Sequence, residues 1–580
     1  MGAERDRITT LTAANPNFRK SFNSLESPVS TSTRLDSQLD LVAVTAGADN
    51  LETIDLTGPD EPHTHAHDQE KQAIASAESN NDQNAYLHGW SLATLLCTLT
   101  MTMFLSYLDT SIVSTAIPSI AEQFHSIRDI GWYGAGYQLA NACVQPLAGK
   151  LYTFFPSKIV FLCFFAVFEI GSAICGTAES SATLIVGRAI AGCGAAGLSN
   201  GATIIMAAVV PLHLRPVVMG IGLGVSQLGL VLGPLVGGFY LNLPVGAAII
   251  VPMFFVNVVE HVEKRKQKIT IGFIWHKMDL LGFALLAPAV TMLLLALHFA
   301  GNKYPWNSAP VVSLLSGAGL MFTVFFTAEY FKGDDAILPL NILKRRIMWC
   351  SCLVMMFSVA TSFCTSYFLP LYFQAVQNVT PIESGTYLLP NILTQLVGGI
   401  ISGLLVSKLG YYLPFSVAAG ILMTIGSGLI STYSVSTAPA RWIGYQLVLG
   451  LGRGLGMQIP LVALQNFLPS QDLAIGTSMV LFGHTIGAAV FLSIAQTIFI
   501  TAVQHLVPIY APGIKPDNVF QTGGVTHIDP GSDGGAGLGL AICKAINRVF
   551  WMTTAAGGCA LLFSFGLGWR SIKKPNKGIR

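Results

Sequence analysis

Residues 216–238 read PVVMGIGLGVSQLGLVLGPLVGG, and the reading of this stretch decides the fold. At 100° per residue, Gly229, Gly233 and Gly237 fall on one helix face, with Gly220 and Gly238 at the two ends of the pattern. Small residues spaced by four let helix backbones approach closely inside a bilayer. Pro234 removes one backbone hydrogen bond and bends the helix. The stretch holds no charged residue after Arg215, so it reads as a bent, tightly packed spanning helix.

The rest of the chain agrees. Of 580 residues, 52% are hydrophobic and only 11% are charged, where a soluble domain carries about 25% charged residues. This excludes an ordinary soluble multidomain enzyme. A net charge of +2 gives no basic face for nucleic acid. Residues 1–87 hold 6 Lys/Arg against 14 Asp/Glu, a polar acidic tail expected to be disordered and cytoplasmic. Most of the ten cysteines sit in apolar runs and read as small packers.

A spanning helix needs roughly 20 apolar residues. Fourteen segments qualify: 91–112, 131–151, 159–177, 182–207, 216–238, 243–259, 279–299, 310–331, 347–370, 384–407, 411–432, 441–463, 474–500 and 546–569. With both termini in the cytosol, 18 Lys/Arg fall on the inner side and 6 on the outer, as the positive-inside rule requires. Gly149-Lys150-Leu151 after the second span is echoed by Gly403 to Lys408 after the tenth. The echo suggests two six-helix halves with two helices inserted between them, an arrangement of 6 + 2 + 6. The expected division is a tail at 1–87, a first bundle at 88–260, a loop with two inserted helices at 261–346, a second bundle at 347–570 with an outer loop at about 501–545, and a basic tail at 571–580.

Several motifs resemble the major facilitator superfamily, and within it the fourteen-spanner drug:proton antiporters of fungi. The Gly220–Gly238 pattern resembles the antiporter motif that marks exporters. Leu108-Asp109-Thr110-Ser111 to Pro118 resembles the first-helix motif, and Leu184-x3-Arg188-x3-Gly192-x-Gly194 the fourth. Gly450-x-Gly452-Arg453-Gly454-x-Gly456-x-Gln458-x-Pro460 resembles the twelfth helix of fungal members. The resemblance implies an all-α integral membrane protein of the major facilitator fold. It also implies proton-driven efflux of a small amphipathic molecule, such as a fungal secondary metabolite, mycotoxin or xenobiotic. The expected partners are that substrate, protons and the lipid bilayer, with a monomer the expected state. The plasma membrane is the expected location, with the vacuolar membrane as alternative.

Two departures stand out. The superfamily loop after the second helix carries an acidic residue where this chain has Thr153, and Ser407 stands there in the second copy. The family's charge-based gate latch is therefore in doubt. Phe239 to Pro244 leaves almost no loop between the fifth and sixth spans. Either the fifth helix ends early at the outer surface or an exon is mis-assigned.

Charges inside a membrane are functional hypotheses by default. Asp109, Glu169, Arg188, Arg453 and His484 are the candidates for proton coupling or for the cavity. Glu169 is a candidate ion-pair partner for Arg188, and Arg453 is matched to Arg188 by position in the second half. Gln227, Gln458 and Gln465 could bond substrate or neighbouring helices. No Walker loop, catalytic dyad, cofactor motif or metal-ligand set is found, so neither an enzyme nor an ATP-driven pump is expected. The alternatives are an uptake or vacuolar carrier of the same fold, for basic amino acids or siderophores, and a non-transporting nutrient sensor.

Overall fold

The computed structural model describes residues 89–124, 130–236, 242–256, 258, 277–300, 304–514 and 535–573. The chain divides into two units, Met1–Glu78 and Ser79–Arg580; all described residues belong to the second, and the acidic tail lies outside them.

Gly89–Phe124 (α1), Ile130–Phe154 (α2), Ser157–Gly176 (α3), Ser181–Val209 (α4), Arg215–Val236 (α5) and Asn242–Phe255 (α6) come first. Leu280–Phe299 (α7) and Ala309–Lys332 (α8) follow. Then come Arg346–Gln377 (α9), Leu389–Leu409 (α10), Leu413–Ile430 (α11), Pro439–Gly456 (α12), Ile459–Phe467 (α13), Leu473–Tyr510 (α14) and Gly535–Ser564 (α15). No strand occurs among the described residues, only isolated bridges. Among the described residues, eleven helices are long and apolar enough to cross a membrane. α2, α5 and α6 are helical too, at the other three expected spans, without meeting that measure.

Local chemistry sets several ends. Ser180 Oγ accepts from the Thr183 N–H and starts α4, and Thr380 with Glu383 forms a capping box on a short helix at Pro381–Thr386. Gly410 closes α10 at φ 85, a conformation that costs glycine little. The expected twelfth span breaks between Gly456 and Ile459, because Pro460 cannot donate to the Gly456 carbonyl and its ring crowds it. Hydropathy underestimates some helices. α14 runs to Tyr510 and α15 begins at Gly535, so both ends of the outer loop expected at about 501–545 are helical. Helical turns beyond the hydrocarbon need no apolar side chains, and hydropathy does not register them. α6 has 14 residues, about 21 Å at 1.5 Å each. The join between α5 and α6 lies outside the described residues.

The same glycine contacts occur twice. A Cβ on Gly171 of α3 would overlap Ala191 of α4, and one on Gly426 of α11 would meet Leu449 of α12 at 2.7 Å. Gly192 of α4 presses on the Tyr137 carbonyl of α2, as Gly450 of α12 presses on the Asn391 carbonyl of α10. Gly194 meets Phe168, and Gly452 meets Met423. α1–α6 and α9–α15 therefore repeat one packing scheme. They meet along two seams, α5 on α10 and α2 on α14. Gly220 packs against the Gly399 carbonyl and Gly403 against Pro216 in the first seam. In the second, Gly149 packs against Ser478. α7 and α8 pack on each other, and α7 also touches α2 and α14. α8 turns Leu320, Tyr330 and Phe331 outward, an apolar surface suited to lipid.

Candidate functional site

Asp109 of α1 and Arg188 of α4 are both buried, and Arg188 Nη1 lies 2.5 Å from Asp109 Oδ2. Arg188 Nε donates to the Tyr133 carbonyl at 3.1 Å, and its guanidinium lies over the Tyr137 ring, 4.3 Å from the centroid. Three helices thus converge on one guanidinium. The expected pairing of Glu169 with Arg188 does not occur. Glu169 of α3 turns toward Gly246 of α6, and neither carboxylate oxygen has a hydrogen-bond partner. Both α1 and α3 pack on α4, and it is the direction of Glu169, toward Gly246 of α6, that leaves the arginine to Asp109.

Tyr137 carries this pair to a cavity between the halves, about 720 Å³ of empty space counting the part open to solvent. Ser106, Tyr107, Gln145 and Ser199 line it from the first half, and Met355, Phe363, His484 and Thr485 from the second. Thr485 Oγ1 donates to Gln145 Oε1 at 2.7 Å across the seam. A second space of about 350 Å³ adjoins it, lined by Gln227, Ser358, Ser362, Gln395, Arg453 and His484. Met355, Met457 and His484 are shared by both. Of the expected residues, Gln227, Arg453 and His484 therefore reach cavity space.

Arg453 is not the counterpart of Arg188. Counted from the matched glycines Gly192 and Gly450, the residue equivalent to Arg188 is Gln446, and Arg453 is equivalent to Ala195. Arg453 lies almost two turns farther along its helix than a strict repeat would put it. Its Nη1 donates to Asn391 Oδ1 at 2.7 Å and its Nη2 to Ser362 Oγ.

Gln458 and Gln465 serve the seam rather than the cavity. Gln458 Nε2 donates to the Gly399 carbonyl at 3.2 Å, in the place where Asn200 Nδ2 donates to the Gln145 carbonyl at 2.7 Å in the other half. Gln465 Nε2 points at Met219 Sδ of α5. In the glycine pattern, Gly220 faces α10 while Gly229 faces α1, 2.6 Å from the Phe104 carbonyl for a built Cβ. Gly233 and Pro234 belong to α5, and their surroundings, with Gly237 and Gly238, lie outside the described residues.

The missing acidic latch has a local explanation. Thr153 Oγ1 donates back to the Gly149 carbonyl within its own helix. The contact outward is made by Lys150, 1% exposed, whose Nζ donates to the Asp335 carbonyl at 3.0 Å. Asp335 pairs with Lys277, and Lys332 pairs with Asp279 at 2.6 Å. Asp279 Oδ2 accepts from the Ile337 N–H at 2.7 Å, and Glu329 Oε2 from the Leu338 N–H at 2.8 Å. Burial raises the Asp279 carboxyl, but its hydrogen bonds to Glu329, Lys332 and the backbone outweigh that and hold it below the ordinary range. This cluster ties the α7–α8 pair to the end of α2. Sequence reasoning took Lys150 only as an inner-side charge and passed over Asn391, Ser362 and Gln395; the available signal was a polar residue inside an otherwise apolar helix.

The Major Facilitator Superfamily sequence profile matches residues 99–492. The chain belongs to the major facilitator superfamily. It is a multi-pass membrane transporter and not an enzyme. Among similar superfamily members, the MFS-type transporter pigP of Monascus ruber is 42% identical over 534 residues, covering 89% of this chain and 94% of that protein. The MFS-type transporter calB of Penicillium decumbens is 41% identical, over 90% of this chain and 95% of that protein. The efflux pump mlcE of Penicillium citrinum is 38% identical, over 89% and 96%. Among solved superfamily structures, the human organic anion transporter MFSD10 (TETRAN) aligns at a TM-score of 0.51 and 16% identity, covering 82% of this chain and 97% of that one. That likeness concerns the fold alone.

Proposed function

We propose that this transporter is a proton-driven efflux pump for a small amphipathic molecule, with a fungal secondary metabolite as the natural cargo. The observation that carries the reading is the cavity between the halves, lined from both sides and touched through Tyr137 by the buried Arg188–Asp109 pair. Binding sites between related halves near the midplane are how secondary transporters alternate access. The chain crosses the bilayer fourteen times as 6 + 2 + 6, with α12 and α13 forming one broken span and both termini in the cytosol. The plasma membrane is its location, and the monomer is its working unit.

In transport, the halves rock about the two seams. The glycines at Gly149, Gly220, Gly399 and Gly403 let the backbones touch when the Lys150 end is shut. Protonation of Asp109 removes the counter-charge of Arg188, loosens its hold on α1 and couples the proton to the rocking. Glu169, whose carboxylate lacks partners, and His484 on the cavity wall are the further groups able to bind a proton there. Names of relatives that include efflux pumps favour export over uptake.

The test is a metabolite comparison. The gene is deleted in the source organism, and cells and medium are profiled separately by mass spectrometry. A compound that accumulates in cells and falls in the medium supports export. A compound that falls in cells and remains in the medium marks an uptake carrier, and an unchanged profile with altered nutrient signalling marks a sensor.

A further inference from the structure

Among the described residues two guanidiniums are buried in the helical bundle, and one of them has a counter-ion. Arg188 is 1% exposed and Arg453 is 5% exposed. The ion pairs among the described residues are Arg188–Asp109, Lys277–Asp335 and Lys332–Asp279. None involves Arg453. Its two bonded nitrogens reach the neutral oxygens of Asn391 and Ser362, and its Nε has no acceptor. Neutral acceptors orient a cation without cancelling its charge, and a buried uncompensated charge costs several kcal/mol.

The fold gives no packing reason for this charge. The equivalent position in the first half is Ala195, so the repeated helix scheme does not require an arginine there. The guanidinium instead lines the 350 Å³ space, together with two other polar atoms that lack partners. Ser358 Oγ and Gln395 Oε1 are both buried and unbonded. That space adjoins the 720 Å³ cavity, with Met355, Met457 and His484 lining both. Beyond them Tyr107, Leu223, Phe363 and Leu481 form apolar wall, interrupted by Ser106, Gln138, Asn141, Gln145, Ser199 and Thr485.

We infer that the cargo is an amphipathic organic acid whose carboxylate docks on Arg453 and whose apolar body fills the larger cavity. A monoanion matches the one guanidinium lining this space among the described residues, where a dianion would leave excess charge. The free Arg453 Nε–H donates to the carboxylate, and Ser358 supplies a second hydroxyl donor. Gln395 Oε1 accepts from a hydroxyl on the cargo. Asn391 and Ser362 hold the guanidinium in place from behind. This inference rests on the cavity being the transport site and adds the charge of what it takes.

Binding is measured by fluorescence with the purified full-length protein in detergent at neutral pH. The probes are a dansylated undecanoic acid, its primary amide and a dansylated amine of the same length. The acid is expected to bind about tenfold or more tighter than the amide, the effect of one charge-assisted hydrogen bond, with the amine weakest. Arg453→Gln is expected to bring the acid down to the affinity of the amide and leave the amide within about twofold. Arg453→Lys is expected to keep part of the preference. Equal affinity for acid and amide in the wild-type protein overturns the inference, and that comparison needs no variant. So does an undiminished acid preference in Arg453→Gln. Because no flux is read, acid-selective binding without transport would sink the efflux reading alone, and transport without acid selectivity would sink this one alone.

Discussion

Arg188 Nη1 lies 2.5 Å from Asp109 Oδ2, with both side chains 1% exposed. Removing one partner of a buried pair leaves the other as an uncompensated charge, at a cost of about 3–5 kcal/mol. Asp109→Asn is therefore expected to lower the unfolding temperature in detergent sharply. The second half holds a neutral Gln446 where the first holds Arg188. The double change Asp109→Asn with Arg188→Gln is accordingly expected to recover most of the lost stability and none of the proton-coupled flux. A single variant as stable as the wild type would contradict this.

The seams depend on absent side chains. A Cβ on Gly403 would sit 2.6 Å from the Pro216 carbonyl, and one on Gly149 would overlap Ser478. Backbone cannot yield as a side-chain tip can, so Gly403→Ala is expected to hold the halves apart at that end. Transport should fall about tenfold or more, since roughly 1.4 kcal/mol of lost closure suffices. Gly444→Ala, where a Cβ meets nothing within 4 Å, is the control and should transport normally. Rates of labelling at cysteines placed in the cavity wall would register the change directly.

Lys150 and Asp335 separate two kinds of contact. Lys150 is buried and bonds the Asp335 carbonyl, while the Asp335 carboxylate makes a half-exposed pair with Lys277. Losing a buried charge-assisted bond costs about 1.5–3 kcal/mol, and an exposed pair is worth about 0–1 kcal/mol. Lys150→Met should therefore loosen the segment after α8 far more than Asp335→Asn. Hydrogen exchange at residues 333–343 distinguishes them, and equal effects would count against the proposed tie between α2 and the α7–α8 pair.

The same segment carries a pH signature. Asp279 sits below the ordinary carboxylate range, so its contribution is fully present above about pH 4 and is lost as pH falls through its lowered value. Exchange protection of the Ile337 N–H, which donates to Asp279, should be flat from neutral pH to about pH 4 and collapse only below it. Asp279→Asn should weaken it at every pH. Loss of protection between pH 7 and 5 in the wild type would contradict the assignment.

The all-helical fold was legible because a bilayer admits only helices and closed barrels, and apolar runs of about 20 residues are the mark of the helix. Of the α5 glycines, Gly220 meets α10 and Gly229 meets α1, close approaches that a small residue in an apolar run announces without naming the neighbour. Partner choice was not legible. Glu169 and Asp109 are equally plausible partners for Arg188 in sequence, and what decides between them is the helix rotation that turns Glu169 toward Gly246 of α6 and Asp109 toward Arg188. The match of Arg453 to Arg188 failed because a shared residue type was taken for a shared position, and the matched glycines correct it. Gln458 and Gln465 were polar residues in apolar runs whose bonding to the seam or to cargo depends on a helix rotation the sequence does not record.

Proton-driven movement of an amphipath is tested most directly in liposomes containing the purified full-length protein. A fluorescent amphipathic acid is supplied outside, and its uptake is followed with and without an imposed pH gradient. Uptake into the acidic lumen that stops on addition of a protonophore, and that is absent in Asp109→Asn, is the expected result. Uptake at one rate with the gradient present, collapsed or reversed, and unchanged in Asp109→Asn, would contradict proton-driven efflux through this site.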